Sequence, residues 1–60
     1  MYEKYMVYRD EKGVTDYAVA QATGIGVSTF SDWKAGRSKP KAEKLLKIAE
    51  YFGVHIEDLM

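Results

Sequence analysis

Apolar positions along this chain recur every three or four residues, and glycines fall between the recurrences rather than inside them. That is the pattern of short amphipathic helices with glycine stops. The spacing predicts a first helix over about Tyr2 to Lys12, with Tyr2, Tyr5, Met6 and Arg9 on one side, Tyr8 three residues after Tyr5, and Gly13 at its end. Thr15 is placed to cap a second helix, DYAVAQAT, its hydroxyl accepting from the free amides of the next turn, while Asp16 puts a negative charge at the helix's positive end. Val19, Ala20 and Thr23 share one face of this helix, and Gly24 ends it. Gly24 and Gly26 flank Ile25 in a tight turn with one apolar plug, and a third helix follows over about Val27 to Ala35, stopped by Gly36. After the polar loop Arg37 to Pro40 comes the strongest helical period, Ala42, Leu45, Leu46, Ala49 and Phe52 with Ile48 beside them, ended by Gly53. The tail VHIEDLM predicts a final single-turn helix, with Val54 and Leu59 spaced as a hydrophobic staple around His55. Valine and isoleucine occur singly and no strand period competes, so the expectation is an all-α fold, a compact bundle of about five short helices forming a single domain over residues 1–60.

Size and composition narrow the functions open to such a bundle. A chain of 60 residues buries only about 60% of the surface its unfolded form exposes, which favours a flat or convex binding surface over an enclosed pocket. The absence of cysteine removes disulfides, a thiolate nucleophile and a thiolate zinc site, and fits a reducing cytoplasm. His55 has no second ligand at a fixed spacing and reads as a cap of the last helix; Ser28 and Ser31 lack a partner histidine. No catalytic residue, metal, cofactor or small-molecule substrate is therefore expected, and no apolar run approaches the roughly 20 residues that cross a bilayer. Nine basic and nine acidic residues cancel, but unevenly: Lys34 to Lys47 holds six cations (Lys34, Arg37, Lys39, Lys41, Lys44, Lys47) against Glu43 alone. Such a cluster gains meaning from its neighbours.

Those neighbours are the two helices around Gly24, VTDYAVAQATGIGVSTFSDWKAG, whose three-residue joint forces a steep crossing rather than a hairpin. This stretch resembles the helix-turn-helix domains of the lambda repressor, Cro and xenobiotic-response-element type. Val14, Thr15 and Asp16 stand where that family leads into its second helix; Val19 and Ala20 lie mid-helix; Gly24, Ile25 and Gly26 form the turn; and Phe30, Ser31, Trp33, Lys34, Ala35 and Gly36 close the unit. Tyr5, Tyr8, Arg9 and Gly13 match the first helix, and Leu45, Ile48, Ala49, Gly53, Val54 and Leu59 the closing ones, so the likeness covers the whole chain. The core of the unit is expected to be Val19, Ala20, Ile25, Phe30 and Trp33, with the two aromatic rings buried rather than stacking on bases.

The resemblance implies a sequence-specific regulator of transcription, a repressor by family habit, whose partner is double-stranded DNA. Independently of the family, a steeply crossed helix projects its amino-terminal half, and the major groove admits one helix. Val27, Ser28, Thr29 and Asp32 are then the residues facing base edges, with Asp32 able to accept from a cytosine amine and Val27 to meet a thymine methyl. Phosphates are expected at the amides near Thr15 and Asp16 and along the loop Arg37, Ser38, Lys39 and Lys41. A reader this small touches few base pairs, which implies a homodimer on a near-palindromic operator, joined through the Met6 and Val7 face or through Leu46, Tyr51 and the Ile56 to Met60 end.

Three departures from the family pattern carry expectations of their own. Asp16 replaces a common glutamine and would repel a nearby phosphate; Gly26 replaces a serine cap; and Lys34 replaces the glutamate that pairs with the first-helix arginine. Arg9 is accordingly expected to pair with Asp32 or with an acidic residue of the last turn such as Asp58, and Tyr2, Tyr17 and Tyr51 to lie at the surface or rim. Asp16, Asp32 and the zero net charge together define the alternative: an antitoxin-like or adaptor module that keeps the fold and binds protein rather than DNA.

Overall fold

The computed structural model describes residues 2–60 as four α-helices and a closing turn of 3-10 helix. Helices α1 (Tyr2–Lys12), α2 (Asp16–Thr23), α3 (Val27–Ala35) and α4 (Ala42–Phe52) fall where the apolar period puts them, and the last element, Ile56–Leu59, is the single turn that the tail predicts. The reason lies in the punctuation. Gly24 (φ +77°) and Gly36 (φ +78°) take the left-handed conformation at which residues with a β-carbon are strained, and their N–H groups turn back to the carbonyls of Ala20 and Trp33 at 2.9 and 3.1 Å. Thr15 caps α2 as expected, its Oγ1 accepting from the Ala18 N–H at 3.1 Å. His55 is the cap residue of the closing turn, where the Asp58 carboxylate accepts from its N–H at 3.1 Å.

One core joins all the elements, with Tyr5, Val19, Phe30, Ile48 and Leu59 wholly inside it. At about 1.5–3 kcal/mol for each large apolar side chain, these residues supply much of what a chain this short can gather. Tyr5 is the hub: its ring lies 5.1 Å from Trp33, 5.4 Å from Phe30 and 5.9 Å from Phe52, which ties α1 to α3 and α4. The expected core of the helix-turn-helix, Val19, Ala20, Ile25, Phe30 and Trp33, is buried throughout.

One expectation needs correction. Tyr2 is not a rim residue; it is buried, edge-on to Trp33 at 5.5 Å, because the first turn of α1 covers the indole. Ala42 and Leu46 belong to the apolar period of α4 but not to the core. The inward stripe is Leu45, Ile48 and Ala49 with Phe52 half-buried, and Leu46 stands about 100° round the helix from Leu45 and is half exposed.

Candidate nucleic-acid interface

The start of α2 is braced against α1. The Asp16 carboxylate accepts from the Tyr5 hydroxyl at 2.6 Å, the Tyr2 hydroxyl at 2.8 Å and the Arg9 guanidinium at 3.0 Å. Partial burial pushes this carboxyl up, but the three donors and the arginine charge outweigh it and hold the group below its ordinary value. Burial and donation to Asp16 drive the Tyr5 hydroxyl far above the usual tyrosine range, and the hydrogen bond to Asp16 raises the Arg9 guanidinium further. Arg9 also contacts the exposed Asp10 carboxylate at 3.0 Å.

This arrangement corrects the expected partner of Arg9, which is neither Asp32 nor Asp58. Arg9 sits in the last turn of α1, a short connection away from the start of α2, and Asp16 is the acid that this connection brings to it. The Asp16 carboxylate is thus turned toward α1. Ahead of the first internal hydrogen bond of α2, from the Val19 N–H to the Thr15 carbonyl, lie the N–H groups of Asp16 and Tyr17.

Along α3, Phe30 and Trp33 point inward and leave the other side to solvent. Val27 and Ser28 are exposed, Thr29 and Asp32 half-buried, and Gly26 caps the helix without a side-chain hydrogen bond. Past the glycine stop the chain folds back: the Asp32 carbonyl accepts from the N–H of Arg37 at 2.9 Å, and the Asp32 carboxylate accepts from the Arg37 Nε at 2.9 Å. Thr29, Asp32, Ser38, Lys39, Pro40, Lys41, Glu43 and Lys44 line one open cleft between α3, the loop and the start of α4, three lysines against one glutamate beside the Asp32–Arg37 pair. The base-facing and phosphate-facing candidates of that end are therefore neighbours, while Thr15 and Asp16 lie apart at the head of α2. Lys39, Lys41 and Lys44 make no ion pair among the described residues.

Three residues of this surface were not among the expected contacts, although the basic cluster includes Lys44 and Tyr17 was placed at the surface or rim. Lys44 lines the cleft one turn after Lys41, a spacing that a helical reading of the basic cluster would have caught. Tyr17 and Gln21 share a second open groove with Val27 at the Gly24 turn, and Tyr17 is 63% exposed. Their proximity depends on how α2 meets α3, which no spacing within one helix announces.

Comparison with known proteins agrees with this geometry. The sequence profile of the helix-turn-helix family matches residues 7–59. The chain belongs to the Cro/C1-type helix-turn-helix family. This helix-turn-helix protein is 33% identical over 52 residues to the cryptic phage CTXphi transcriptional repressor RstR of Vibrio cholerae, covering 87% of the chain and 47% of that protein. It is 33% identical over 58 residues to the HTH-type transcriptional regulator DdrOP3 of Deinococcus deserti, covering 97% of the chain and 45% of the relative. An uncharacterized HTH-type transcriptional regulator of Haemophilus influenzae matches at 45% over 38 residues, covering 63% of the chain and 16% of its own length. The helix-turn-helix chain thus spans less than half the length of these curated relatives. No solved structure matches it significantly. Among the described residues, no helix is long and apolar enough to cross a membrane.

Proposed function

We propose that this helix-turn-helix chain binds double-stranded DNA in a sequence-specific way and acts as a transcriptional repressor, with α3 in the major groove. The observation that carries the reading is the exposed leading edge of α3, Val27 and Ser28, running into a cleft that joins Thr29 and Asp32 to Lys39, Lys41 and Lys44. Base edges meet the helix, and phosphates meet the amides at Thr15 and Asp16 and the loop residues Ser38, Lys39 and Lys41. Repression is supported by the name of one relative, the CTXphi transcriptional repressor RstR, while the other two are named transcriptional regulators. Two copies on a near-palindromic operator, with half-sites about one helical turn apart, would give the reading enough base pairs, and Val7, Leu46 and Met60 are the exposed apolar residues available to join them.

The adaptor alternative drew on Asp16 and Asp32 as repulsive charges. Each of those carboxylates sits against an arginine, at 3.0 and 2.9 Å, so neither stands as free negative charge before a phosphate, whereas among the described residues three lysines of the cleft, against Glu43 alone, make no ion pair. A salt titration on duplex DNA is the test. Affinity should fall steeply with salt concentration, and Lys39→Ala should lower the slope by about one. Absence of binding at low salt would transfer the fold to the adaptor class.

A further inference from the structure

The side chains of Asp32 and Arg37 meet at the carboxyl-terminal edge of the α3 reading face, and the backbone holds them there. Gly36 turns left-handed, the Arg37 N–H donates to the Asp32 carbonyl at 2.9 Å, and the Ser38 N–H approaches the same oxygen at 3.4 Å. This terminus fixes the Arg37 backbone directly over the last turn of α3. The guanidinium then spends only its Nε–H on the Asp32 carboxylate, at 2.9 Å, and its two terminal nitrogens have no partner among the described residues. An ion pair this exposed adds little to stability. Its consequence is orientation: a planar fork anchored at the Nε edge keeps the parallel donors of its two terminal nitrogens for an outside partner.

Resting on the DNA-binding reading above, we propose that Arg37 is a base-reading residue rather than a phosphate contact, recognising a guanine in the major groove, and that Asp32 is its positioning residue. Guanine is the one base whose major-groove edge offers two adjacent acceptors, O6 and N7, and a paired arginine fork is their geometric complement. A flexible loop arginine aimed at phosphate needs no such anchor, and anchoring it to an acid would weaken its pull on the backbone. The pairing thus assigns Asp32 a role toward Arg37 instead of toward a cytosine amine, and turns the acid that seemed to oppose DNA into part of the reading face.

The test uses an operator selected from a random duplex library with the wild-type chain, in which each guanine is replaced in turn by 7-deazaguanine, which lacks the N7 acceptor and still pairs normally. At one guanine in each half-site the replacement should weaken wild-type binding by about five- to ten-fold. The same replacement should leave Arg37→Ala binding unchanged within two-fold. Asp32→Ala should still bind but lose most of the penalty, and Asp32→Asn, which keeps an oxygen for the Nε–H, should retain it; a purely structural role would move all positions alike. Failure of Arg37→Ala to erase the penalty at any guanine, with a salt slope lowered by about one, would make Arg37 a phosphate contact and overturn the inference while leaving DNA binding intact. A full penalty in Asp32→Ala would overturn the positioning role. If the wild-type chain selects no operator and binds no duplex at low salt, the DNA-binding reading itself falls.

Discussion

Replacing Asp16 by alanine removes a carboxylate that three donors from α1 share, and the structure fixes what each loses. The Tyr5 side chain is wholly buried, so its hydroxyl, 2.6 Å from Asp16, is left without an acceptor, at about 1–3 kcal/mol. The Tyr2 hydroxyl keeps the Arg9 guanidinium at 2.9 Å, and Arg9 keeps Asp10, so these two lose less, about 1 kcal/mol together after allowance for solvent. Loss of negative charge at the start of α2 adds about 0.3–1 kcal/mol. The expected destabilisation is about 2–5 kcal/mol, a large share of the roughly 3–9 kcal/mol that a 60-residue domain holds. Thermal unfolding followed by circular dichroism should show a midpoint lowered by about 10–25 °C. Asp10→Ala is the internal control: that carboxylate also pairs with Arg9 but is 63% exposed, and its loss should amount to less than about 1 kcal/mol. Equal midpoints for the two variants would refute the reasoning, because the hydroxyl of Tyr5 would then find another acceptor or never have depended on Asp16.

The same carboxylate sets a pH dependence. Its folded-state pKa is depressed below the ordinary 3.8, so its contribution is fully present above that value and is lost as the pH falls from there through the folded pKa. Urea midpoints of the wild type should therefore decline over that acid range more steeply than those of Asp16→Asn, and parallel declines would remove Asp16 as the cause. Gly26→Ser should stabilise α3 by a few tenths of a kcal/mol, since residue 26 has the extended backbone of a cap (φ −64°, ψ 138°) and an added β-carbon would come no closer than 3.8 Å to the Ser28 hydroxyl. A lowered urea midpoint would mean that the first turn of α3 does not accept a hydroxyl cap.

The helices were legible because their stops are local. Gly24 and Gly36 end α2 and α3 through hydrogen bonds to carbonyls three or four residues back, and Thr15 caps α2 from three residues away, so the chain announces these boundaries within one turn. The exposed edge of α3 was legible for the same reason, since Phe30 and Trp33 claim the inward period and leave Val27 and Ser28 outside. Tyr2 was misjudged because its burial comes from Trp33, a residue of another helix. The clefts that add Lys44, Tyr17 and Gln21 to the surface depend in the same way on how helices meet.

Electrostatics was the least legible level, and the reason is physical. Side-chain pairing rules within helices reach three or four residues, whereas Asp32 meets Arg37 at a separation of five across a left-handed glycine, and Asp16 meets Arg9 at seven across a turn. Counted along the chain, both acids weaken a DNA-binding face and Arg37 strengthens it. In the folded chain each of these two acids is matched by an arginine, and the cleft beside α3 gathers Lys39, Lys41 and Lys44 against Glu43, none of them in an ion pair among the described residues. A net charge of zero therefore says little about this protein's partner. Opposite charges that sit within hydrogen-bond distance cancel at the range where a phosphate feels them, so the field at the α3 face is set by which cations remain unmatched there.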